Sequence, residues 1–186
     1  SGCLVGAAIG DALGAPFEFK AAGTYTRRFS GPVLGNGGEM IGGGGYGWAP
    51  GEFTDDTQMG VLLAQSLVHC RLQFDPDDVW ARWRTWAETA SDVGITTRHS
   101  LQFSDWRRVQ HENPERTAAN GALMRAFPLA LLPVGRETRR EWTLKQAALT
   151  HPHPDAGFGA WLGVAMMRAG IDENDPFKVL QTELDE

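Results

Sequence analysis

The chain has 186 residues and a formal net charge of −6, and its length suits one domain with its own hydrophobic core. With 42% hydrophobic and 22% charged residues, its composition excludes a disordered or fibrous protein. The longest apolar run, residues 4–9, is too short to cross a bilayer, so we expect no membrane partner. The 17 basic residues are scattered, which makes a duplex nucleic acid an unfavourable partner.

The two cysteines indicate the compartment. Cys3 and Cys70 do not form the spaced framework that disulfide-rich secreted domains use. Because no signal peptide is recognisable in the sequence either, we expect a reducing, cytoplasmic location.

The first predicted helix, over residues 3–12, carries a glycine pattern. Gly6, Gly10 and Gly14 are spaced four residues apart, so on a helix they would form one bare stripe. Such a stripe predicts the close approach of another backbone.

A glycine-rich stretch follows, over residues 31–51. It includes four consecutive glycines, Gly42, Gly43, Gly44 and Gly45. A regular element with so many glycines would lose much conformational entropy on folding, so we predict a long loop here.

Two helices begin at clear capping residues. Thr54 and Asp55 are preferred caps, and apolar residues recur after them at three- and four-residue spacing up to residue 70, which predicts an amphipathic helix. Asp75, followed by a proline, is the predicted N-cap of the next helix. That helix places three tryptophans on one stripe, which predicts that they belong to the core: Trp80, Trp83 and Trp86.

The middle of the chain predicts two more helical segments. Residues 120–132 read as a helix interrupted at Pro128, since proline lacks the N–H that a helix interior needs. Thr138 and Glu141 match the spacing of a capping box, which predicts a helix from there through residue 149.

Two further helices complete the predicted fold. One starts at Asp155 after the stiff turn of residues 151–154 and stops at Gly170, and a short one starts at residue 176. Because no segment alternates with the period of a strand, the predicted fold class is all-α. We expect a single-domain helical bundle with the glycine-rich loop over a ligand cleft.

The most suggestive chemical unit lies at the start of the third predicted element. Thr54, Asp55, Asp56 and Thr57 offer two carboxylates and two hydroxyls, which are the hard oxygen donors that Mg²⁺, Mn²⁺ or Ca²⁺ prefer. The same residues are also preferred helix caps, and the spacing alone favours the interpretation that Thr54 or Asp55 satisfies free backbone N–H groups.

Asp11 and Glu18 form a second acidic pair, one on each side of a Gly-Ala-Pro segment. Either could face a ligand, or act as a general acid if it is buried. The alternative is an exposed charge at the end of a helix.

Three other segments could bind an anion or a sugar. Asn120 and Gly121 stand at a predicted helix start, where free N–H groups favour an anion, although a plain N-cap is the alternative. His151 and His153 lie in a rigid turn that could hydrogen-bond a sugar or phosphate, or could simply be a surface turn. The four-glycine run could wrap phosphates, but it lacks both the Walker and the dinucleotide spacing.

Taken in order, five motif segments resemble the ADP-ribosylglycohydrolase family. They are residues 2–6 (GCLVG), 10–16 (GDALGAP), 53–59 (FTDDTQM), 120–125 (NGALMR) and 150–154 (THPHP). The resemblance extends from residue 2 to about residue 170, and the order of the segments is highly specific.

The resemblance implies a fold, an activity and a role for each motif. The family is all-α and uses two Mg²⁺ or Mn²⁺ ions to hydrolyse the bond between ADP-ribose and a protein side chain, arginine in the bacterial branch. Glu18 would be the mobile catalytic carboxylate, and Asp55 and Asp56 would bind metal and take part in catalysis. The other implied residues are Thr54 as a metal ligand and, around ADP-ribose, Gly42, Gly43, Gly44, Gly45, Asn120, Gly121, Met124 and His151.

The sequence departs from the family in one respect. The family completes its metal pair with an Asp-x-Asp-Thr motif in a later helix, and this motif is not found in residues 1–186. We therefore predict a family-like domain over residues 1–186 without that part, with weak metal binding and little turnover by this chain alone. A hydrolase that removes ADP-ribose is the first hypothesis, and a non-catalytic module that binds ADP-ribose or a nucleotide is the second.

Overall fold

The computed structural model of the chain describes residues 2–31, 39–111 and 117–185. Within these ranges the regular elements are helices, with no strand, which confirms the all-α prediction. The α-helices are α1 (Gly2–Gly14), α2 (Thr24–Arg28), α3 (Asp55–His69), α4 (Pro76–Ala87), α5 (Ile95–Leu101), α6 (Arg136–Ala148), α7 (Pro154–Ile171) and α8 (Pro176–Asp185). The 3₁₀-helices are Ala15–Phe17, Trp106–His111, Asn120–Ala122 and Phe127–Leu131. None of the helices in the described ranges has the length and apolar character needed to cross a membrane.

The two predicted N-caps are confirmed. The Thr54 hydroxyl accepts a hydrogen bond from the backbone N–H of Asp56 (3.2 Å) and opens α3. The Asp75 carboxylate accepts from the N–H groups of Asp77 (2.9 Å) and Asp78 (3.2 Å) and opens α4. Each cap satisfies N–H groups that have no partner inside the helix, so these starts are fixed by local sequence.

The prediction of one interrupted helix over residues 120–132 is wrong. The structure has two short 3₁₀-helices there, with a turn between them. Pro128 cannot donate a backbone hydrogen bond and disfavours the α conformation of the residue before it. Arg125, in the intervening turn, places its side chain in the core with no exposed surface.

The predicted capping box of Thr138 and Glu141 is also wrong. Helix α6 starts earlier, at Arg136, with Gly135 as its N-cap and no side-chain cap. The guanidinium of Arg136 donates to both carboxylate oxygens of Glu183 in α8, at 3.2 and 2.8 Å. A tertiary ion pair therefore anchors this helix start, and a local motif search cannot detect such a contact.

The glycine stripe of α1 does not mediate a close helix contact. A Cβ added at Gly6, Gly10 or Gly14 would meet nothing within 4 Å among the described residues, so the predicted close approach is wrong. The tight approach occurs instead at Gly60 of α3, where an added Cβ would overlap the ring of Phe127.

The core lies between α3, α4, α6, α7 and the Phe127–Leu131 helix. The tryptophan stripe of α4 contributes as predicted, since Trp80 and Trp83 are buried and Trp86 is partly buried. The indole N–H of Trp83 donates to the carbonyl of Met59 (3.1 Å), so this large side chain is buried without leaving its polar atom unpaired.

The glycine-rich stretch is a loop where the structure describes it, as predicted. Residues 32–38 of this stretch lie outside the described residues. Gly43 and Trp48 pair through two backbone hydrogen bonds of 2.7 and 2.9 Å, and the turn between them carries Tyr46. Gly44 has a φ of +75°, and an added Cβ would lie 2.8 Å from the Ala15 carbonyl, so glycine is required there.

The Gly60 contact yields a stability prediction. Gly60→Ala should lower the free energy of unfolding by about 1–3 kcal/mol, because the methyl group would press on the rigid, buried ring of Phe127. Gly159→Ala in α7 is the matched control, since an added Cβ there meets nothing within 4 Å; alanine's better helix propensity should leave that variant neutral or slightly more stable. Urea unfolding followed by circular dichroism measures both, and equal stabilities of the two variants would contradict the packing argument.

Candidate functional site

A cleft of about 930 Å³ lies where several elements converge. The C-terminal end of α1, the start of α3 and the start of α5 contribute to its lining. Most of the remaining lining comes from residues 15–19 without Pro16, from residues 119–124 without Ala122, and from Tyr46 and His151. The cleft therefore brings together residues from four of the motif segments, 10–16, 53–59, 120–125 and 150–154, although these segments are far apart along the chain.

Asp11 joins α1 to α3. One of its carboxylate oxygens accepts hydrogen bonds from the backbone N–H groups of Thr54 (2.9 Å) and Thr57 (3.1 Å) and from the Thr57 hydroxyl (2.7 Å). Asp11 is therefore neither the exposed terminal charge nor the free general acid that its position in the sequence allowed. It holds the start of α3, and with it the two acids that follow, against the end of α1.

Asp55 and Asp56 are two adjacent acids in the first turn of α3. Asp55 is buried, and its carboxylate accepts from the N–H of Gly94 at 3.3 Å. Burial, followed by the charge of Asp56, raises the pKa of Asp55, and burial, followed by the charges of Asp11 and Glu18, raises the pKa of Asp56. Since Thr54 already caps the helix, both carboxylates are left to face the cleft.

Asp92 and Tyr46 belong to the site and were missed by the sequence analysis. Asp92 is 7% exposed, and burial, followed by the charge of Asp55, raises its pKa to about 6. The charge of Asp92 raises the pKa of Tyr46, so the glycine-rich loop and the segment before α5 meet at this point of the cleft. In the sequence, Asp92 is only an acid in a polar turn, so no periodic or motif signal marks it.

Glu18 reaches the cleft at the end of a tight local turn. Ala15–Phe17 before it is a 3₁₀-helix, and Phe19 after it, with a φ of +59°, is 83% exposed. Phe17 packs against Tyr25, with ring centroids 5.2 Å apart. The pKa of Glu18 is nevertheless raised, by partial burial and then by the charges of Asp92 and Asp11.

The acids with raised pKa values form one group, which we call the acid cluster. Its members all line the cleft. They are Glu18, Asp55, Asp56 and Asp92.

A second group of residues in the cleft consists of neutral hydrogen-bond donors, and we call it the donor cluster. Its members are Asn120, Gly121 and His151, and Met124 lines the cleft beside them. His151 is 2% exposed, so the surface-turn alternative is wrong for this residue. A Cβ at Gly121 would lie 2.6 Å from the His151 ring, so glycine makes room for the imidazole. Asn120 is not a plain N-cap, because that position falls to Ala119 and carries no side-chain cap.

His153 has a different role from its neighbour. Its Nδ1 accepts a hydrogen bond from the N–H of Asp155 (3.1 Å) and so caps α7. Its own N–H donates to the Thr117 hydroxyl (3.1 Å). Of the two histidines in this turn, His151 therefore lines the cleft and His153 caps α7.

The four-glycine run does not line the cleft. Tyr46 is the residue that this loop contributes to the lining, whereas Gly42, Gly43, Gly44 and Gly45 are absent from it. The predicted contact of these glycines with phosphates stays a prediction.

The residues that could hold a metal are those of the acid cluster. Across the described ranges, no group of three or more His, Cys, Asp or Glu side chains is already arranged to hold an ion. Burial and the negative charges of neighbouring acids raise the pKa values of Asp55 and Asp56, so the pair favours added positive charge. A hard cation could supply that positive charge, with the Thr54 hydroxyl as a further oxygen donor.

The chain belongs to the ADP-ribosylglycohydrolase family, because the family model with that description matches residues 1–186. An ADP-ribosyl-[dinitrogen reductase] glycohydrolase of Rhodospirillum rubrum is 37% identical over 82% of this chain and 51% of that protein. An ADP-ribosylarginine hydrolase Tri1 of Pseudomonas putida (strain GB-1) is 30% identical over 96% of this chain and 48% of that protein.

A solved structure supports the same assignment. The chain superposes on an ADP-ribosylglycohydrolase-related protein complex with a TM-score of 0.67 and 30% identity, covering 92% of this chain and 55% of that one. The predicted resemblance is therefore confirmed. The chain spans about half the length of the curated relatives that it matches.

The raised pKa of Asp92 predicts a pH-dependent stability in metal-free buffer. Between about pH 4 and 6 the folded protein retains a proton on Asp92 that the unfolded chain has released, so this residue lowers stability as the pH rises through that window. Asp92→Asn removes the charge and keeps the shape of the side chain. It should therefore raise the free energy of unfolding at pH 7.5 by about 1–2 kcal/mol more than it does at pH 4.

Urea unfolding at the two pH values, in the presence of a chelator, measures this difference. Asp155→Asn is the control, since the Asp155 side chain is 87% exposed. The same change at both pH values in Asp92→Asn would show that this carboxyl ionises in the folded protein as freely as it does in the unfolded chain.

Proposed function

We propose that the protein removes ADP-ribose from a modified acceptor, arginine-linked protein in the first place, by hydrolysing the glycosidic bond at the distal ribose. The observation that carries this proposal is that one cleft is lined by both the acid cluster and the donor cluster. Acids suit a divalent cation and proton transfer, and neutral donors suit the oxygens of a diphosphate or a ribose. The names of the two relatives described above support the same reaction.

The proposed cofactor is Mg²⁺ or Mn²⁺, with two ions in a complete site. Thr54, Asp55 and Asp56 would hold metal in this chain. The raised pKa values of the two carboxyls support that fit, because burial and neighbouring negative charges disfavour their ionised forms and a cation would compensate for both. When bound, the ions would supply Lewis acidity that activates water and fixes the ribose hydroxyls.

Glu18 is the acid that we assign to the leaving group. Its raised pKa keeps a larger fraction protonated at neutral pH than an ordinary glutamate would have. In the proposed step, the bond between the ribose C1 carbon and the arginine nitrogen breaks, the electron pair leaves on the nitrogen, and Glu18 donates its proton to that atom. Water adds its oxygen to C1 and releases a proton, for which Asp55 and Asp56 are the candidate acceptors.

A non-catalytic ADP-ribose or nucleotide binding module is the second candidate. It is favoured by one observation: the described residues contain no group of three acids or histidines ready to hold an ion. Since an Asp-x-Asp-Thr motif is not found in residues 1–186 either, we expect the 186-residue chain to bind ADP-ribose but to turn over slowly. Ligand binding without measurable release of ADP-ribose would favour this module over the hydrolase.

Metal binding should depend on the acid pair. Mn²⁺ should raise the melting temperature of the wild type, and Asp55→Asn and Asp56→Asn should each abolish most of that shift, because each removes a charged oxygen donor. Asp155→Asn, which changes an acid in the first turn of α7, is the matched control and should keep the full shift. Differential scanning fluorimetry with and without Mn²⁺ measures all four proteins. An unchanged shift in both α3 variants would leave this pair without a metal role.

Turnover should depend on Glu18. Glu18→Gln keeps the shape of the side chain but cannot donate a carboxylic proton, so kcat for release of ADP-ribose from ADP-ribosylarginine should fall at least about 100-fold with little change in ADP-ribose affinity. The decline of the wild-type rate as the pH rises through the pKa of Glu18 should also disappear from the profile. Glu88→Gln, at an exposed acid that ends α4, is the control and should behave as the wild type. A Glu18→Gln variant with wild-type kcat and an unaltered pH profile would remove Glu18 from the mechanism.

A further inference from the structure

Arg125 carries a buried charge close to the cleft. Its side chain has no exposed surface, and its guanidinium lies over the Trp83 ring, 3.9 Å from the centroid. Nε donates to the side-chain oxygen of Gln146 (3.0 Å), and Nη2 donates to the Gln146 carbonyl (3.1 Å) and to the Thr150 hydroxyl (2.7 Å). The last bond links Arg125 to the residue that precedes His151.

The hydrogen bonds around Thr150 fix the position of one proton. A guanidinium can only donate, so the Thr150 oxygen accepts from Arg125 and must place its own hydroxyl proton elsewhere. The Nδ1 atom of His151 lies 2.7 Å from that oxygen. Thr150 is fully buried, so a hydroxyl proton without an acceptor would be costly, and Nδ1 is the acceptor that the described hydrogen bonds provide.

We propose that Arg125 and Thr150 are positioning residues that hold His151 as the neutral tautomer with its proton on Nε2, so that the ring donates a hydrogen bond to an oxygen of the ligand. The ligand class, a nucleoside diphosphate sugar, rests on the proposed function. The tautomer itself rests only on the hydrogen-bond chain of the protein.

The surroundings of Nε2 support a role toward a ligand. His151 is 2% exposed and lines the cleft, and the hydrogen bonds of the described residues give Nε2 no protein acceptor. A Cβ at Gly121 would lie 2.8 Å from Nε2 and 3.5 Å from the hydroxyl oxygen of Thr97, so glycine leaves this side of the ring open. A buried donor that faces a cleft without a partner is suited to a ligand acceptor.

Burial and a nearby positive charge also favour the neutral form of the His151 ring. Burial, followed by the charge of Arg125, lowers the pKa of His151 to about 3. Asp55 is the acid whose charge reaches Arg125, and it helps to keep that guanidinium ionised in spite of its burial. His151 therefore stays neutral through the physiological pH range, so the ring can donate a hydrogen bond from Nε2 but does not act as a base.

Nitrogen-15 spectra of the imidazole rings test this inference directly, in the whole chain and without a ligand. From pH 5 to pH 8, His151 should show an unprotonated Nδ1 and a protonated Nε2, with the resonances assigned by their loss in His151→Gln. A protonated Nδ1, or titration of the ring within this range, would overturn the proposal without the need for any further variant.

Variants at Thr150 separate positioning from packing. Thr150→Val replaces the hydroxyl by a methyl group of similar size and should produce a mixture of tautomers and an ADP-ribose Kd raised about tenfold. Thr150→Ser keeps the hydroxyl and should restore both the tautomer and the affinity. Wild-type spectra and affinity in Thr150→Val would overturn the positioning role.

Addition of ADP-ribose separates this inference from the proposed function. If ADP-ribose binds, the Nε2 proton of His151 should shift to the position of a stronger hydrogen bond, and ribose 5-phosphate and AMP should show which oxygen is the acceptor. Binding that leaves this proton unmoved would overturn the ligand contact. If no nucleotide binds at all while the Nε2 tautomer is observed, the proposed function fails and the positioning by Arg125 and Thr150 stands.

Discussion

Arg125 has its charge in the centre of the molecule, and within the described ranges no carboxylate forms an ion pair with it. An isolated buried cation is costly, so its surroundings must compensate for the lost water. Gln146, Thr150 and the face of Trp83 do so, and Gln146 also donates from its side chain to the Ala122 carbonyl (2.8 Å). The Arg125 side chain thereby connects α4, α6 and the two segments that form the donor cluster. The shape of the cleft therefore depends on the polar partners that compensate for the buried charge of Arg125.

The acid cluster is held in place by a carboxylate, Asp11, and not by a buried cation. Asp11 accepts three hydrogen bonds at the start of α3, and this fixes Asp55 and Asp56 at the cleft instead of leaving them free in solvent. Burial and mutual repulsion then raise the pKa values of the pair and of Asp92, so the protein stores electrostatic free energy that a cation could release. The cleft therefore combines a group of acids that favours positive charge with a group of neutral donors that favours oxygen atoms.

Sequence and structure agree where local physics decides. Thr54 and Asp75 cap the helices that follow because a short side chain reaches free N–H groups two or three residues ahead, and the tryptophans of α4 are recognisable by their spacing alone. The capping box at Thr138 failed because α6 begins two residues earlier, at Arg136, which pairs with the distant Glu183. Asp92 and the role of Arg125 could not be predicted, since both depend on partners that become neighbours only after folding.

The central claim is that the two clusters bind the two ends of one ligand and its metal. A crystal structure of the protein with Mn²⁺ and ADP-ribose, with anomalous scattering recorded at the manganese edge, tests this most directly. The account predicts a manganese peak in contact with the carboxylates of Asp55 and Asp56, and a ligand oxygen within hydrogen-bond distance of the Nε2 atom of His151. A manganese peak away from α3, or ADP-ribose bound outside the cleft, would contradict it.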